Sequence, residues 1–400
     1  MQRAGEFPDP LRERERPVKY AFLPCVATVM LSACATSVVS KPAADKEAIT
    51  AGMILEMSPL AGGIEAEDPA QVDILALSPE MSAFLDEHVD RDGNEYKKLA
   101  QLVYAVIGEG RFELVYDDST RTAKDTFHQR RGNCLSFTNM FVAMARALGL
   151  KASYQDVEIP PDWSLAGQTF MLSQHVNVLV DLPNKQNRIV DFNIYDFDMI
   201  YERRVISDQR ALAHYYNNIG VEHMLAGETA LAYVNLRKSI GADRTFSSAW
   251  VNLGNLHRRE GYKAYAEASY LEALKFDRHN LMAMSNLANL YLDDNPELAE
   301  QYLARVRTHR MNNPYYRYQL ANSAFNEGDY RSAIQNLKFA IRKRNDEDRF
   351  YFLMSLSYLM SGEKGEAQKW MKKAEEVARK SATRKRYQHK LDLLQGPSSH

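Results

Sequence analysis

A cysteine, a histidine and an aspartate in the first half of the chain are the residue types that catalysis by a thiolate requires. A thiolate nucleophile needs a general base, and the base needs a third polar group to orient it. Cys134 is the candidate nucleophile, and two histidines, His128 and His175, lie between residues 120 and 200. His128 stands in a charged stretch typical of a surface, whereas His175 begins an alternating run and precedes Asp191. The chemistry indicated is attack of sulfur on a carbonyl group.

Cys134 is predicted to begin a buried helix. Gly132 and Asn133 are turn residues, apolar residues recur at helical spacing over 137–148, and Gly149 is a helix stop. The unpaired N–H groups and the dipole of a helix start stabilise a thiolate, and the same N–H groups can face an oxyanion. The alternative is an inert buried cysteine at a helix start.

His175 and Asp191 are predicted to lie close together in a β-hairpin. The run after His175 alternates, with Val176, Val178 and Val180 on the core face, and the turn residues 183–185 follow it. A second run, 188–192, then places Asp191 opposite or diagonal to His175, with about 5–8 Å between their Cβ atoms. Taken singly, each residue is more often structural.

The segments around Cys134 predict an α+β domain. Ser78 is an N-cap followed by proline, and a second helical pattern begins at Tyr96. Residues 112–116 alternate as in a short strand, and Thr122 opens a further short helix. After the helix of Cys134, a strand is predicted over residues 154–159.

The second half of the chain is a repeat array. The pairs Ile219-Gly220, Leu253-Gly254, Leu287-Ala288, Leu320-Ala321 and Met354-Ser355 are spaced by 34, 34, 33 and 34 residues. The same register aligns Gly227, Gly261, Gly328 and Gly362, and also Ala232, Ala266, Ala333 and Ala367. The third unit departs from it, because Asp293-Asp294-Asn295-Pro296 replaces the glycine turn. The period predicts an all-α solenoid of about five helix pairs, closed by a polar capping helix over 381–394.

Residues 95–200 resemble the transglutaminase-like superfamily in the order of their motifs. These are Gly-Asn-Cys at a helix start, a strand, a histidine on the next strand and Val-Asp-Phe on the strand after it. The resemblance implies a papain-like core in which Cys134 is the nucleophile, His175 is the base and then the acid, and Asp191 orients the imidazole. It implies acyl transfer, and hydrolysis of peptide or other amide bonds more often than protein crosslinking.

Two residues near this motif bear on activity. Leu135 departs from the family pattern, because many active members carry Trp or Tyr directly after the cysteine. Trp163, in a proline-rich loop, could line the cleft or cover the core. No nucleotide-binding loop, serine-hydrolase elbow or zinc motif competes as chemistry, so we expect no cofactor and no metal.

Residues 210–378 resemble tetratricopeptide (TPR) repeats. Stacked helix pairs of this kind leave a concave face free, so the resemblance implies a protein or peptide partner there. The net charge is −10 for residues 34–205 and +7 for 206–400, and the positive excess is more often a solvated face than a binding stripe. We expect no nucleic-acid partner for an exported protein, whatever its basic balance.

The N-terminus is predicted to direct export and lipid anchoring. A basic stretch precedes a short apolar run, and Leu31-Ser32-Ala33-Cys34 resembles the lipobox of bacterial lipoproteins, which implies an acylated Cys34. The alternative is a plain secretory signal cut near Ala33 or Ala35. Ala35 is not an acidic retention signal, so the expected location is the periplasmic side of the cell envelope, at the outer membrane. The true start could lie after Met1.

The predicted domains are a lipoprotein signal peptide (1–33), a tether (34–70), the transglutaminase-like domain (71–205) and the TPR array (210–395). Hydrophobic (45%) and charged (26%) side chains are in globular proportions, which excludes a disordered or polytopic membrane chain, and three cysteines exclude a disulfide framework. The leading interpretation is an envelope-anchored cysteine peptidase or amidase whose repeats recruit a protein substrate. The alternatives are a non-catalytic assembly scaffold with an idle triad, and a transamidase that joins two envelope proteins.

Overall fold

A computed structural model of the chain describes its architecture from residue 49 onward. The described residues are 49–61, 72–108, 112–157, 164–166, 169–171, 175–192, 203–378 and 381–395. The predicted signal segment, Cys34 and Trp163 lie outside them. Within this part of the chain, no helix is both long and apolar enough to cross a membrane.

The first half of the chain combines short helices with strands. Its helices are α1 (Ala51–Glu56), α2 (Pro79–His88), α3 (Glu95–Ile107), α4 (Ala123–Gln129) and α5 (Cys134–Ala147). Its strands are β1 (Val115–Tyr116), β2 (Arg131–Gly132), β3 (Lys151–Val157), β4 (Ser164–Ala166), β5 (Thr169–Met171), β6 (His175–Asp181), β7 (Arg188–Val190) and β8 (Arg203–Ile206).

Polar caps set the starts of the helices in this half. The side chains of Ser78, Asn94, Thr122 and Asn133 each accept a backbone N–H in the first turn of α2, α3, α4 and α5. The helix starts predicted at Ser78 and Thr122 are therefore confirmed. The strand predicted over 112–116 is shorter, because Phe112 turns into the hydrophobic core and only Val115–Tyr116 pairs with β2.

The central sheet has the strand order β7-β6-β3-β8, and every neighbouring pair is antiparallel. Helix α5 packs on it: Tyr154 Oη donates to Asn139 Oδ1 at 2.8 Å, and Thr138 Oγ1 donates to the carbonyl of Val176 at 3.1 Å. Strand β3 begins at Lys151, earlier than predicted. The predicted hairpin is confirmed as β6 and β7, and β8 completes the sheet on the other side of β3.

The second half of the chain consists of helix pairs followed by one further helix. The helices are α6 (Asp208–Ala226), α7 (Thr229–Ala242), α8 (Ser247–Arg259), α9 (Lys263–Phe276), α10 (Leu281–Tyr291), α11 (Pro296–Asn312), α12 (Pro314–Asn326), α13 (Tyr330–Lys343), α14 (Asp348–Met360), α15 (Lys364–Val377) and α16 (Ser381–Gln395). We call α6–α9 the front units and α12–α15 the rear units.

The turns inside the helix pairs explain the repeated glycines. Gly227, Gly261, Gly328 and Gly362 have φ values of 79 to 84°, the left-handed region that favours glycine. In the third pair, Asn295 caps α11 and Pro296 occupies its first turn, so a different signal ends one helix and starts the next.

Helix α6 belongs to both halves of the molecule. Ala211 lies in the hydrophobic core of the α+β domain, together with α5 and the central sheet. Ala213 and Met224, on the other side of α6, lie in the core of the front units. The rear units have a separate core around Phe350 and Leu337. The first repeat helix therefore contributes to the hydrophobic cores of both the α+β domain and the front units.

The prediction of a tether over residues 34–70 is wrong for residues 49–61, which we call the N-terminal segment. Ile54 is fully buried in the core of the front units, and Tyr233 Oη donates to the carbonyl of Leu55 at 2.8 Å. Ser58 Oγ lies 2.9 Å from Nε2 of the buried His257. Residues 34–70 as a whole are rich in small residues and have no long amphipathic period, which is why their sequence is typical of a linker.

Candidate active site

Cys134 is the first residue of α5, as predicted. Asn133 caps this helix through its Oδ1, which accepts the N–H of Ser136 at 3.0 Å, and the carbonyl of Asn133 accepts the N–H of Phe137. The N–H groups of Cys134 and Leu135 precede any intrahelical acceptor, as in every helix start. The Cys134 thiol is free and half-buried. Helix-start amides and a partly accessible sulfur thus occur together.

The structure brings His175 and Asp191 together. Val178 lies opposite Val190 in the β6–β7 hairpin, so continuation of this register places Asp191 across from Asn177 and diagonal to His175. His175 Nε2 lies 2.7 Å from Asp191 Oδ1. Because a carboxylate only accepts hydrogen bonds, this contact puts a proton on Nε2 and leaves Nδ1 as the ring nitrogen that exchanges protons.

Asn177 completes the surroundings of the aspartate. Its Nδ2 donates to Asp191 Oδ2 at 2.8 Å, so both carboxylate oxygens are held. The alternation of β6 places Asn177 on the same face as His175, and Asn177 is not among the predicted site residues. The signal that could have identified it is its position two residues after His175, directly across the hairpin from Asp191.

The pKa of His175 differs strongly from its ordinary value. His175 is 2% exposed, and this burial by itself disfavours the imidazolium. Its hydrogen bonds with Asp191 and with Cys134, together with the negative charge on those groups, outweigh burial and raise the pKa of His175 to about 9. His175 therefore contacts both of the other two residues of the predicted triad, and the imidazolium is its favoured form at neutral pH.

These groups can perform thiolate chemistry on a carbonyl compound. An imidazolium beside a sulfur atom stabilises the thiolate, and the amides of the helix start can receive negative charge that develops on an attacked carbonyl oxygen. Leu135 is buried in the hydrophobic core, so the position of the family's frequent Trp or Tyr is filled by an aliphatic packing residue.

His128 is not part of this arrangement. Its side chain is exposed, and Nε2 lies 3.6 Å from a carboxylate oxygen of Glu80. The prediction of a surface residue is therefore confirmed. Among the described residues, no three His, Cys, Asp or Glu side chains come together as metal ligands could.

Two family models match parts of the chain. Residues 82–165 match the transglutaminase-like superfamily, and residues 247–280 match a tetratricopeptide repeat. The first match includes Cys134 but ends before His175 and Asp191. The second match covers α8 and α9, the second helix pair. No curated protein sequence matches the chain.

Several solved structures are similar to part of the chain. The MamA protein is 23% identical and covers 43% of this chain and 94% of its own, with a TM-score of 0.23. YrrB, described as a TPR protein with an unusual peptide-binding site, is 18% identical and covers 44% and 92%, with a TM-score of 0.23. PilF of Pseudomonas aeruginosa is 17% identical and covers 48% and 96%, with a TM-score of 0.25. The two family models, by contrast, show a transglutaminase-like domain followed by tetratricopeptide repeats in this chain.

Proposed function

We propose that this protein is a cysteine peptidase or amidase that acts by acyl transfer and uses its repeats to recruit a protein substrate. The observation that carries the proposal is the arrangement of one buried histidine. His175 contacts Cys134 on one side, lies 2.7 Å from Asp191 on the other, and has a pKa raised to about 9. This is the order of contacts that nucleophile, base and orienting group require.

In the proposed reaction, the thiolate of Cys134 attacks the carbonyl carbon of an amide and forms a C–S bond. The electron pair of the carbonyl moves onto oxygen, near the first amides of α5. As the intermediate collapses, the C–N bond breaks and His175 gives its proton to the leaving amine. Water then attacks the thioester with His175 as base, the C–S bond breaks, and the acid product leaves.

The repeats and the N-terminus supply recruitment and location in this proposal. A TPR array leaves a concave face on which a protein or peptide partner can bind. Acylation of Cys34 would hold the protein on the periplasmic side of the envelope, because the two or three acyl chains of a bacterial lipoprotein together give stable anchoring. The resemblance of residues 31–34 to a lipobox supports this location.

The second candidate function is a non-catalytic scaffold. Leu135 favours it, because an aliphatic residue occupies a position where many active members of the superfamily carry an aromatic ring. A transamidase is the third outcome, in which an amine rather than water resolves the thioester. The mass of the products separates hydrolysis, which adds water, from crosslinking, which releases ammonia.

The test is the rate of alkylation of the Cys134 peptide as a function of pH, followed by mass. For an activated thiolate, we expect a rate already near its plateau at about pH 6, where an ordinary thiol with a pKa of about 8.5 is almost wholly protonated. His175→Ala should lower the rate at that pH about three hundredfold, the difference in thiolate fraction.

His214→Ala is the matched control for this experiment. His214 is also buried and lies 3.0 Å from an aspartate, Asp156, and no hydrogen bond joins it to Cys134 among the described residues. Its loss should leave the alkylation profile of Cys134 unchanged. If the unmodified protein is labelled only near pH 8.5, the triad is idle and the scaffold becomes the better account. In that case Cys134→Ser would fully complement a null strain.

A further inference from the structure

A carboxylate on the first repeat helix contacts the loop that carries the candidate nucleophile. Glu222, in the C-terminal half of α6, accepts the backbone N–H of Thr120 at 2.8 Å through Oε1. The Thr120 side chain also hydrogen-bonds to this carboxylate. Thr120 is 5% exposed and Glu222 is half-buried, so this contact between the repeat array and the α+β domain is partly shielded from water.

The contact continues to the residue before Cys134. Asn133 Nδ2 donates to Thr120 Oγ1 at 2.7 Å, while Asn133 Oδ1 accepts the N–H of Ser136. The amide of Asn133 is therefore held from both ends and cannot reverse without losing both bonds. Three hydrogen bonds in series join Glu222 to the cap of the helix that Cys134 begins.

The backbone beside this series is supported by the same loop. The N–H of Asn133 donates to the carbonyl of Ser119 at 3.2 Å, and the N–H of Arg121 donates to Ser136 Oγ at 2.8 Å. At Gly132, an added Cβ would come within 2.5 Å of the Cβ of Ser136. The loop and the helix start thus fit closely, with no room for adjustment at Gly132.

Glu222 has no salt bridge to a lysine or arginine among the described residues. Burial raises its pKa, and the bonds from Thr120 and the charges of His223 and Arg121 oppose that rise. Glu222 is half-buried, and its carboxylate binds a backbone N–H and a hydroxyl of the loop, which fixes the position of the loop relative to α6.

We propose that Glu222 is a positioning residue for Cys134: through Thr120 and Asn133, the first repeat helix sets the start of the nucleophile's helix. The chemical consequence rests on the proposed function, because it assumes that Cys134 acts as a thiolate. The series begins outside residues 82–165, so part of what orders the nucleophile comes from the repeat array. Whatever displaces α6 then also displaces the helix start.

Glu222→Ala in the full chain tests this inference. Loss of one hydrogen bond in the series should slow alkylation of Cys134 at pH 6 about fivefold and move the pH profile upward. Glu222→Gln should behave like the unmodified protein, because its Oε1 still accepts the N–H of Thr120. Thr120→Val, which removes Oγ1 but keeps the backbone N–H, should reproduce the loss, and Thr120→Ser should restore the rate.

Asp208→Ala is the matched control on the same helix. Asp208 binds Arg146 through two contacts of 2.7 and 2.9 Å, at the other end of α5 from Cys134, about 18 Å along the helix. Asp208→Ala removes a contact between α5 and α6 but leaves the hydrogen bonds that run from Glu222 through Thr120 to Asn133 in place. If Asp208→Ala slows alkylation as much as Glu222→Ala, or if Glu222→Ala has no effect, the positioning role is wrong.

Hydrogen exchange keeps this test separate from the test of catalysis. In Glu222→Ala, the amides of Ser136 and Phe137 should exchange at least about fivefold faster, and in Asp208→Ala they should not. If the unmodified thiol proves unactivated, the proposed function fails, and exchange alone decides the positioning role. Unchanged exchange in Glu222→Ala would overturn it in either case.

Discussion

The front and rear units share one repeat pattern but have different neighbours. At one aromatic position of the register, Tyr351 Oη donates to the carbonyl of Asn345 at 3.0 Å, a bond within its own unit. The equivalent Tyr216 instead accepts the backbone N–H of Val72, in the α+β domain, at 3.1 Å. One pattern therefore serves two purposes: at Tyr351 it closes a repeat, and at Tyr216, in the first helix pair, it joins the array to the domain that carries the candidate site.

This difference divides the array by function. The front units share α6 with the α+β domain and bury the N-terminal segment, so their position is coupled to that of Cys134. The rear units have a separate core and end on α16, where Tyr387 and Leu391 cover the last pair. Under the proposed function, partner recruitment suits the rear units, which can accept a ligand without disturbing the nucleophile.

The largest expected effect comes from a matched pair of core truncations. Trp250 in α8 and Tyr351 in α14 occupy the same register position, and Trp250 Nε1 also donates to a carbonyl six residues earlier, that of Arg244. Truncation of either to alanine should lower the free energy of unfolding by about 3–5 kcal/mol. Trp250→Ala should also raise the exposure of the Cys134 region, whereas Tyr351→Ala should not.

Denaturant unfolding checks this pair when two probes are used together, far-UV circular dichroism and alkylation of the Cys134 peptide. In Trp250→Ala, the two transitions should shift together. In Tyr351→Ala, only the circular dichroism should show an early loss. If Cys134 becomes exposed equally early in both variants, the array unfolds as one unit and the division into front and rear is wrong.

The pH dependence of stability should separate the same two regions. The pKa of His175 is raised from 6.5 in the unfolded chain to about 9, so its stabilisation is complete below pH 6.5 and is lost as the pH rises through 9. The shift corresponds to a loss of the order of 3 kcal/mol. In the rear, burial raises the pKa of Glu347 above its ordinary value of 4.5. The stabilisation from its neutral form is therefore complete below pH 4.5 and is lost as the pH rises through the raised pKa.

Unfolding free energies measured from pH 4 to pH 10 check these windows. While Cys134 stays a thiol, His175→Ala should remove the decline between about pH 6.5 and 9 and leave the acid range unchanged; with Cys134 as a thiolate, the proton that the unfolded thiol holds offsets the proton on His175 and the decline is absent up to about pH 8.5. Glu347→Gln should remove the decline that begins near pH 4.5 and leave the range from pH 6.5 to 9 unchanged. The Glu347 side chain is buried in the rear units, where it pairs with Arg349. A decline above pH 6.5 that persists in His175→Ala would contradict the raised pKa of the histidine.

The repeats were predictable because their signal is repeated. A small residue every 33 or 34 positions marks the same place in each helix pair, as at Gly254, where an added Cβ would lie 2.5 Å from the ring of Tyr270. The helix start at Cys134 and the β6–β7 hairpin were predictable for a related reason. A cap, a turn and an alternating run are local patterns, and each of them fixes its own geometry.

The contacts between distant segments were not predictable from local patterns. Ser58 and His257 are 199 residues apart, and Thr120 and Glu222 are 102 apart, yet each pair is hydrogen-bonded. A lone serine or glutamate carries no period, so no window of sequence distinguishes it from a surface residue. The N-terminal segment is held in place by the core of the front units, into which Ile54 and Leu60 pack, and not by its own helix propensity.

The smallest expected effect tests that N-terminal segment. Burial lowers the pKa of His257 to about 4, so its ring is neutral at pH 7, with Nε2 against Ser58 Oγ at 2.9 Å. Ser58→Ala would leave this buried nitrogen without its partner and should cost about 1–2 kcal/mol of unfolding free energy. Cleavage within residues 49–61 by a protease should become faster in proportion, since the segment opens more often.

Ser357→Ala in the rear units is the matched control. Ser357 is equally buried, but its Oγ donates at 2.8 Å to the carbonyl of Leu353 in the same helix, which keeps its backbone bond in the variant. Its loss should change stability by less than about 0.5 kcal/mol. Equal costs in the two variants would mean that Ser58 contributes only its own burial, and that the contact with His257 does not hold the segment on the front units.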